Sequence, residues 1–187
     1  RQDNIVQRYT TRPYRGASDL DALISLAQRT TASRLPGPTY YHLGDVVWQL
    51  YRLDGSDDVQ LWLDGSRVVA FAIFEPPIDF GFEIDATVGD AYALAGQLIA
   101  WAESRRALVP DDAAVPLAYQ SLGTGTLSSP VCDSDAQRIG WLTTHGYAAQ
   151  ELVATRYARS LVEPPPPVVL PDGAIVRHAL DADIAQR

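Results

Sequence analysis

Two carboxylates one residue apart, in Gly81-Phe82-Glu83-Ile84-Asp85, are the residues best placed by type to do chemistry. Residues two apart on a strand share a face, so Glu83 and Asp85 would point the same way. A carboxylate so placed can take a proton from an attacking nucleophile. The plainer alternative is a half-exposed strand whose carboxylates are solvated. His42, His145 and His178 are too dispersed to suggest a zinc site, and the single Cys132 adds little, so no metal is expected. Cys132 also lacks a neighbouring basic residue to favour a thiolate, which argues against a nucleophile. Ser121 to Thr126 is glycine-rich but carries no P-loop lysine and reads as a connection. His42, beside Tyr40 and Tyr41 and before Gly44, Asp45 and Trp48, could line a cleft; a loop leading into a helix with aromatic packing is the alternative. His145, one residue before Gly146, suits a helix C-terminus, where a cation is favoured.

Composition bounds what these residues can serve. The 187 residues are 47% hydrophobic, enough for one well-buried core. A formal charge of −8 with scattered basic residues argues against a nucleic-acid surface. Arg105-Arg106, the only adjacent basic pair, suits a helix C-terminus better than a ligand. No run approaches the ~18 apolar residues of a membrane span, so no membrane partner is expected. No apolar signal core follows the N-terminus and one thiol fits a reducing compartment, so a cytoplasmic location is expected. With no methionine in the chain, Arg1 is not expected to be an initiator.

The elements that would position the carboxylates follow from periodicity. Val6–Tyr14 alternates as an opening strand. Ser18 or Asp19 is the expected cap of a helix whose buried stripe is Leu20, Leu23, Ile24 and Ala27. After the Pro/Gly loop 34–42, a second helix over 43–51 would bury Leu43, Val47 and Leu50. Residues 59–63, the turn Asp64-Gly65 and residues 68–74 form a hairpin. Phe80–Val88 is a strand, Asp90–Leu108 a long helix with Leu94, Leu98, Ile99, Trp101 and Ala102 inward, and residues 115–122 a strand. A helix near 133–144 and a final strand over 147–161 complete the pattern. The fold class is α/β (α+β): a mixed, mostly antiparallel central sheet flanked by helices. Glu163 to Pro167 reads as a semi-rigid linker.

This element order resembles the GNAT superfamily of acyl-coenzyme A N-acyltransferases over residues 5–161. The helix Gly96-Gln-Leu-Ile-Ala-Trp-Ala-Glu-Ser-Arg-Arg-Ala107 is similar to the family's central helix. Ile139-Gly-Trp-Leu-Thr-Thr-His-Gly-Tyr-Ala-Ala-Gln-Glu-Leu152 resembles its last helix and the Gly-aromatic pair that follows. Arg177-His178-Ala179-Leu180-Asp181-Ala182-Asp183 repeats the R-x-A-x-D-x-D of Arg15 to Asp21. Residues 162–173 are therefore expected to link to a second GNAT-like repeat opening at 174–187, as in tandem members of the superfamily.

The resemblance implies an acetyl-CoA cofactor whose pyrophosphate meets the N-terminus of the central helix, where free N–H groups and the dipole favour an anion. Val88, Ala93, Leu94 and Ala95 are the implied cofactor-binding residues. The family writes that loop as Arg/Gln-x-x-Gly-x-Gly/Ala; here Asp90 stands for the basic residue and Ala93 for a glycine, and only Ala95 fits. Glu83 and Asp85 are the implied candidate bases. Leu142 occupies the place where many members carry a proton-donating tyrosine. Two readings remain open: half of a tandem N-acetyltransferase acting on a small-molecule or peptide amine, or a non-catalytic scaffold of the same fold that binds no cofactor and packs on the missing repeat or on a second copy of itself.

Overall fold

The computed structural model describes residues 8–35, 37–52, 56–110, 112–114, 125–150, 169 and 171–174. The chain divides into a compact unit of residues 1–151 and a second of residues 152–187. In the second, a turn at Asp172-Gly173 is closed by Ala174 N donating to Pro171 O at 2.9 Å, with Gly173 at φ 79°. The strand expected over 115–122, the linker 163–167 and the repeat 174–187 lie outside the described residues, except for Ala174.

The first unit is built on an antiparallel sheet ordered β1 (Thr10–Pro13), β2 (Val59–Asp64), β3 (Arg67–Glu75) and β4 (Asp79–Ile84). The β2–β3 hairpin forms where Asp64-Gly65 placed it, with Gly65 at φ 61° supplying the turn. Beyond β4, Ser128 pairs in parallel with Asp79: Phe80 N donates to Ser128 O at 2.9 Å and Ser128 N to Ile78 O at 2.6 Å. The sheet is thus mostly antiparallel with one parallel contact. Among residues 147–150 no strand forms; the rest of the final strand expected there lies outside the described residues.

Helices cover both faces. α1 (Ala17–Arg34) and α2 (Leu43–Arg52) lie on one, α3 (Ala91–Arg106) and α4 (Ala136–Thr144) on the other. The pleat sorts β4 accordingly. Phe80, Phe82 and Ile84 pack with Leu94, Leu98 and Trp141 of the α3–α4 layer. Phe71 and Ile73 of β3 turn the other way, against Leu23, Leu26 and Val46 of the α1–α2 layer.

Three sequence expectations are corrected here. α1 starts at Gly16, not at a Ser18 or Asp19 cap, because Asp19 is drawn off by Arg12, whose guanidinium forks onto its carboxylate at 2.6 and 2.7 Å. Its buried stripe is Leu23, Leu26, Ala27 and Thr30, with Leu20 and Ile24 at the margin. In α2 it is Val46 that is buried, while Leu43 and Val47 are exposed. One face of that short helix meets α1, and the apolar positions outnumber what the contact can cover. β4 ends at Ile84 rather than Val88, since Asp85 turns the chain by accepting from Thr87 N at 3.0 Å.

Gly81 on β4 has a steric reason. A Cβ there would run into the Tyr41 hydroxyl, which lies across the strand on the α1–α2 side. Gly81→Ala should lower stability by about 1–3 kcal/mol through overpacking. Tyr41→Phe in the same chain should recover part of that loss, since the ring carbon behind the hydroxyl would still lie 2.8 Å from the new Cβ, read as the urea midpoints of the single and double variants.

Candidate functional site

Glu83 and Asp85 do share a face, but neither is solvated. Their side chains are 1% and 2% exposed beneath α1. A buried carboxylate needs a partner to stay charged, and α1 supplies one for each. Arg29 Nε donates to Asp85 Oδ2 at 2.9 Å, and Arg34 Nη1 donates to Glu83 Oε1 at 2.9 Å. Five residues of helix rise ~7.5 Å and two of strand ~6.7 Å. With α1 and β4 running oppositely, both ion pairs can therefore form at once.

Asp85 is saturated. Besides Arg29, its Oδ2 accepts from Arg67 Nη2 at 2.6 Å, and its Oδ1 accepts from Thr87 N at 3.0 Å and Thr87 Oγ1 at 2.8 Å. Burial alone would push its pKa up. The Thr87 and arginine hydrogen bonds outweigh that and draw it down to about 2. A carboxylate so stabilised is a poor proton acceptor, and its lone pairs are already used.

Glu83 is held from both helical layers. Arg34 Nη1 also lies 2.7 Å from Oε2, although only the Oε1 contact is aligned as a hydrogen bond. From α4, Arg138 passes around the outer edge of β4, donates from Nη2 to Phe82 O at 2.8 Å and stands 3.7 Å from Glu83 Oε2. Its guanidinium is wedged between two rings, 3.6 Å from the centroid of Tyr40 and 4.3 Å from that of Phe82. Burial lowers the Arg138 pKa, and the field of Glu83 works against that lowering.

Tyr40 ties the cluster to α4. Its hydroxyl donates to Asp135 Oδ2 at 2.9 Å and accepts from Cys132 N at 3.2 Å, while burial raises its pKa. Asp135 Oδ1 in turn caps α4 by accepting from Arg138 N at 2.9 Å.

The residues implied for a cofactor lie elsewhere, at the start of α3. Asp90 is the helix N-cap: its Oδ1 accepts from Ala93 N at 3.1 Å and its carbonyl from Leu94 N at 3.2 Å. Leu94 and Ala95 are fully buried in the core and present no side chain to a ligand. Val88 packs on the margin of the same core, its N–H donating to Asp85 O at 3.0 Å. The cap has placed a carboxylate where an anion would bind, so these residues do not fit a pyrophosphate. Among the described residues, no group of three or more His, Cys, Asp or Glu gathers to hold a metal ion, and no helix is long and apolar enough to cross a membrane.

His42 and His145 both sit at helix termini, as spacing suggested. The cluster that spacing missed is Arg34, Tyr40, Asp135 and Arg138. One signal was present: Arg138 stands at i and i+3, i+4 spacing from Trp141 and Leu142, a charge on the buried face of α4.

Asp85→Asn should destabilise the protein at pH 7. The carboxylate is held below its unfolded value of ~3.9, so its contribution is present above pH ~4 and lost as pH falls toward 2. The gap in urea midpoint between variant and wild type should therefore be wide at pH 7 and narrower at pH 3. An equal gap at both values would contradict the assignment.

No family model matches the chain, and no curated protein does. Among solved structures, a GCN5-related N-acetyltransferase from Sphaerobacter thermophilus is 17% identical with a TM-score of 0.52, covering 76% of this chain and 44% of its own. The chain thus spans less than half the length of that protein. The aminoglycoside N-acetyltransferase AAC(6')-Iy in complex with CoA is 15% identical (81% of this chain, 95% of that one, TM-score 0.49). Ard1 from Thermoplasma volcanium is 10% identical (77% and 85%, TM-score 0.47). With the sheet order, the helix placement and the Sphaerobacter likeness together, the first unit has the fold of the GCN5-related N-acetyltransferases.

Proposed function

We propose that this chain is the partner half of a longer, acetyl-CoA-dependent N-acetyltransferase that acylates an amine, and that transfer itself is carried by a second GNAT-like repeat. The observation that carries this reading is the Asp90 carboxylate capping α3 at the point where the cofactor's pyrophosphate would have to sit. An anion brought there meets a fixed negative charge instead of free N–H donors. The buried carboxylates of β4 agree with it, since Glu83 and Asp85 are committed to arginines and closed to an incoming amine. The second R-x-A-x-D-x-D at 177–183, matching residues 15–21, supports a second repeat. Its acceptor is a small-molecule or peptide amine, a cationic one being favoured by the acidic surface.

Isothermal titration of acetyl-CoA into this chain should give no binding heat at micromolar concentrations, and thiol release with simple amines should stay at background. Replacing Asp90 with Arg and Ala93 with Gly should introduce measurable affinity. Leaving Ala95 in place matters, because it is packed in the core. Micromolar binding by the unaltered chain, accompanied by amine-dependent thiol release, would overturn the proposal and assign transfer to this domain.

A further inference from the structure

The two described histidines close opposite kinds of helix end, and their hydrogen bonds fix opposite tautomers. His42 precedes α2 with its ring folded back over the first turn. Its Nδ1 accepts from Gly44 N at 3.0 Å and lies 3.4 Å from Asp45 N. An N–H can only donate, so Nδ1 must carry the lone pair and Nε2 the proton. Nε2 stands 3.2 Å from Asp45 Oδ2, and that carboxylate accepts in return from His42 N at 3.2 Å. The arrangement is a reciprocal capping box in which an imidazole replaces the usual serine or threonine hydroxyl. Gly44 leaves it room, since a Cβ there would come within 3.0 Å of the ring. Among the described residues, the charged group in contact with the ring is Asp45, from the same helix.

His145 shows the reverse. Its Nδ1 lies 2.7 Å from Trp141 O at the end of α4, and a carbonyl can only accept, so here Nδ1 carries the proton. The ring packs against Gly96 and the Tyr92 ring of α3.

We propose that the start of α2 is an acid-sensitive cap, opened by a second proton on His42, while the end of α4 is not. Protonating His42 removes the lone pair to which Gly44 N donates, while Asp45 N keeps its bond to His42 O at 3.1 Å, and it puts a cation at a helix N-terminus, where the dipole opposes it. The Nε2–Asp45 contact survives and holds the ring where its new Nδ1–H faces the Gly44 N–H. Protonating His145 occupies Nε2, leaves the Nδ1 bond intact and adds a cation at a C-terminus, where it is favoured. Imidazoles as a class change charge between pH 5 and 8, so pH 8 and pH 5 bracket the comparison. Leu43, the first residue of α2, is also the first of an exposed apolar set continued by Val47 and Trp48. The same proton thus loosens one end of that surface.

Nitrogen-detected NMR of the imidazoles at pH 8 is the first test. It should show an unprotonated Nδ1 in His42 and an unprotonated Nε2 in His145; a protonated Nδ1 in His42 would overturn the proposal. Amide hydrogen exchange, corrected for its intrinsic pH dependence, is the second. Between pH 8 and 5 the opening at the Gly44 amide should rise roughly fivefold, the loss expected of an N-cap. His42→Asn, which caps without titrating in this window, should abolish the rise, and residues at the end of α4 should show none. Equal pH dependence in wild type and His42→Asn would also overturn it.

Discussion

The structure of the first unit depends on keeping two negative charges alive beneath a helix. Glu83 and Asp85 enter the interior because β4 pairs with β3 and its pleat sends alternate residues toward α1. Once buried, they must be paired or neutralised, and the effective cost of an unpaired buried ion is several kcal/mol. Arg29 and Arg34 answer this from α1, and in doing so they fix how α1 lies along β4. Hydrophobic contacts between Leu23, Leu26, Phe71 and Ile73 supply the attraction between these layers but allow many alignments. Two ion pairs with matched rise allow far fewer. The value of such pairs lies in specifying an arrangement more than in adding stability, because replacing a buried pair by apolar side chains is often neutral.

Arg138 extends the same logic around the edge of the sheet. Its guanidinium belongs to the α3–α4 layer by origin and meets Glu83 of the α1–α2 layer by reach, passing Phe82 O on the way. Stacking between Tyr40 and Phe82 compensates part of its desolvation. Tyr40 then hands the connection to Asp135, the residue that starts α4. The outer edge of β4 at Phe82 is therefore closed by a side chain, whereas at Phe80 it is closed by the backbone of Ser128. The β4 carboxylates are occupied by arginines and the first turn of α3 is capped by Asp90, which is a statement about lone pairs and N–H groups.

Local signals in the sequence were strong where a single residue type decides a backbone state. Asp64-Gly65 specified the hairpin, Asp90 the start of α3, and the alternation around Phe80, Phe82 and Ile84 the face of β4 that meets α3. Spacing failed where tertiary partners compete. Asp19 has the chemistry of an N-cap but is taken by Arg12, seven residues earlier. The period of α2 offered Leu43, Val47 and Leu50 as one face, yet Val46 is the residue α1 covers. The carboxylates of β4 look like surface in any reading of neighbours alone. What buries them are arginines 49 to 56 positions away in sequence.

Arg138 marks the limit of such reading most clearly. A lone arginine on the apolar face of a short helix is either exposed by a register error or buried with a partner, and periodicity cannot decide which. Its partners come from three separate segments, the loop before α2, β4 and the turn before α4, none of which carries a motif of its own. The charge pattern becomes legible only when the four segments are brought together. Then each ionised group has an opposite within reach: Arg34 and Arg138 for Glu83, Arg29 and Arg67 for Asp85, Arg12 for Asp19. These acidic and basic side chains are spent on alignment, and alignment leaves no local trace.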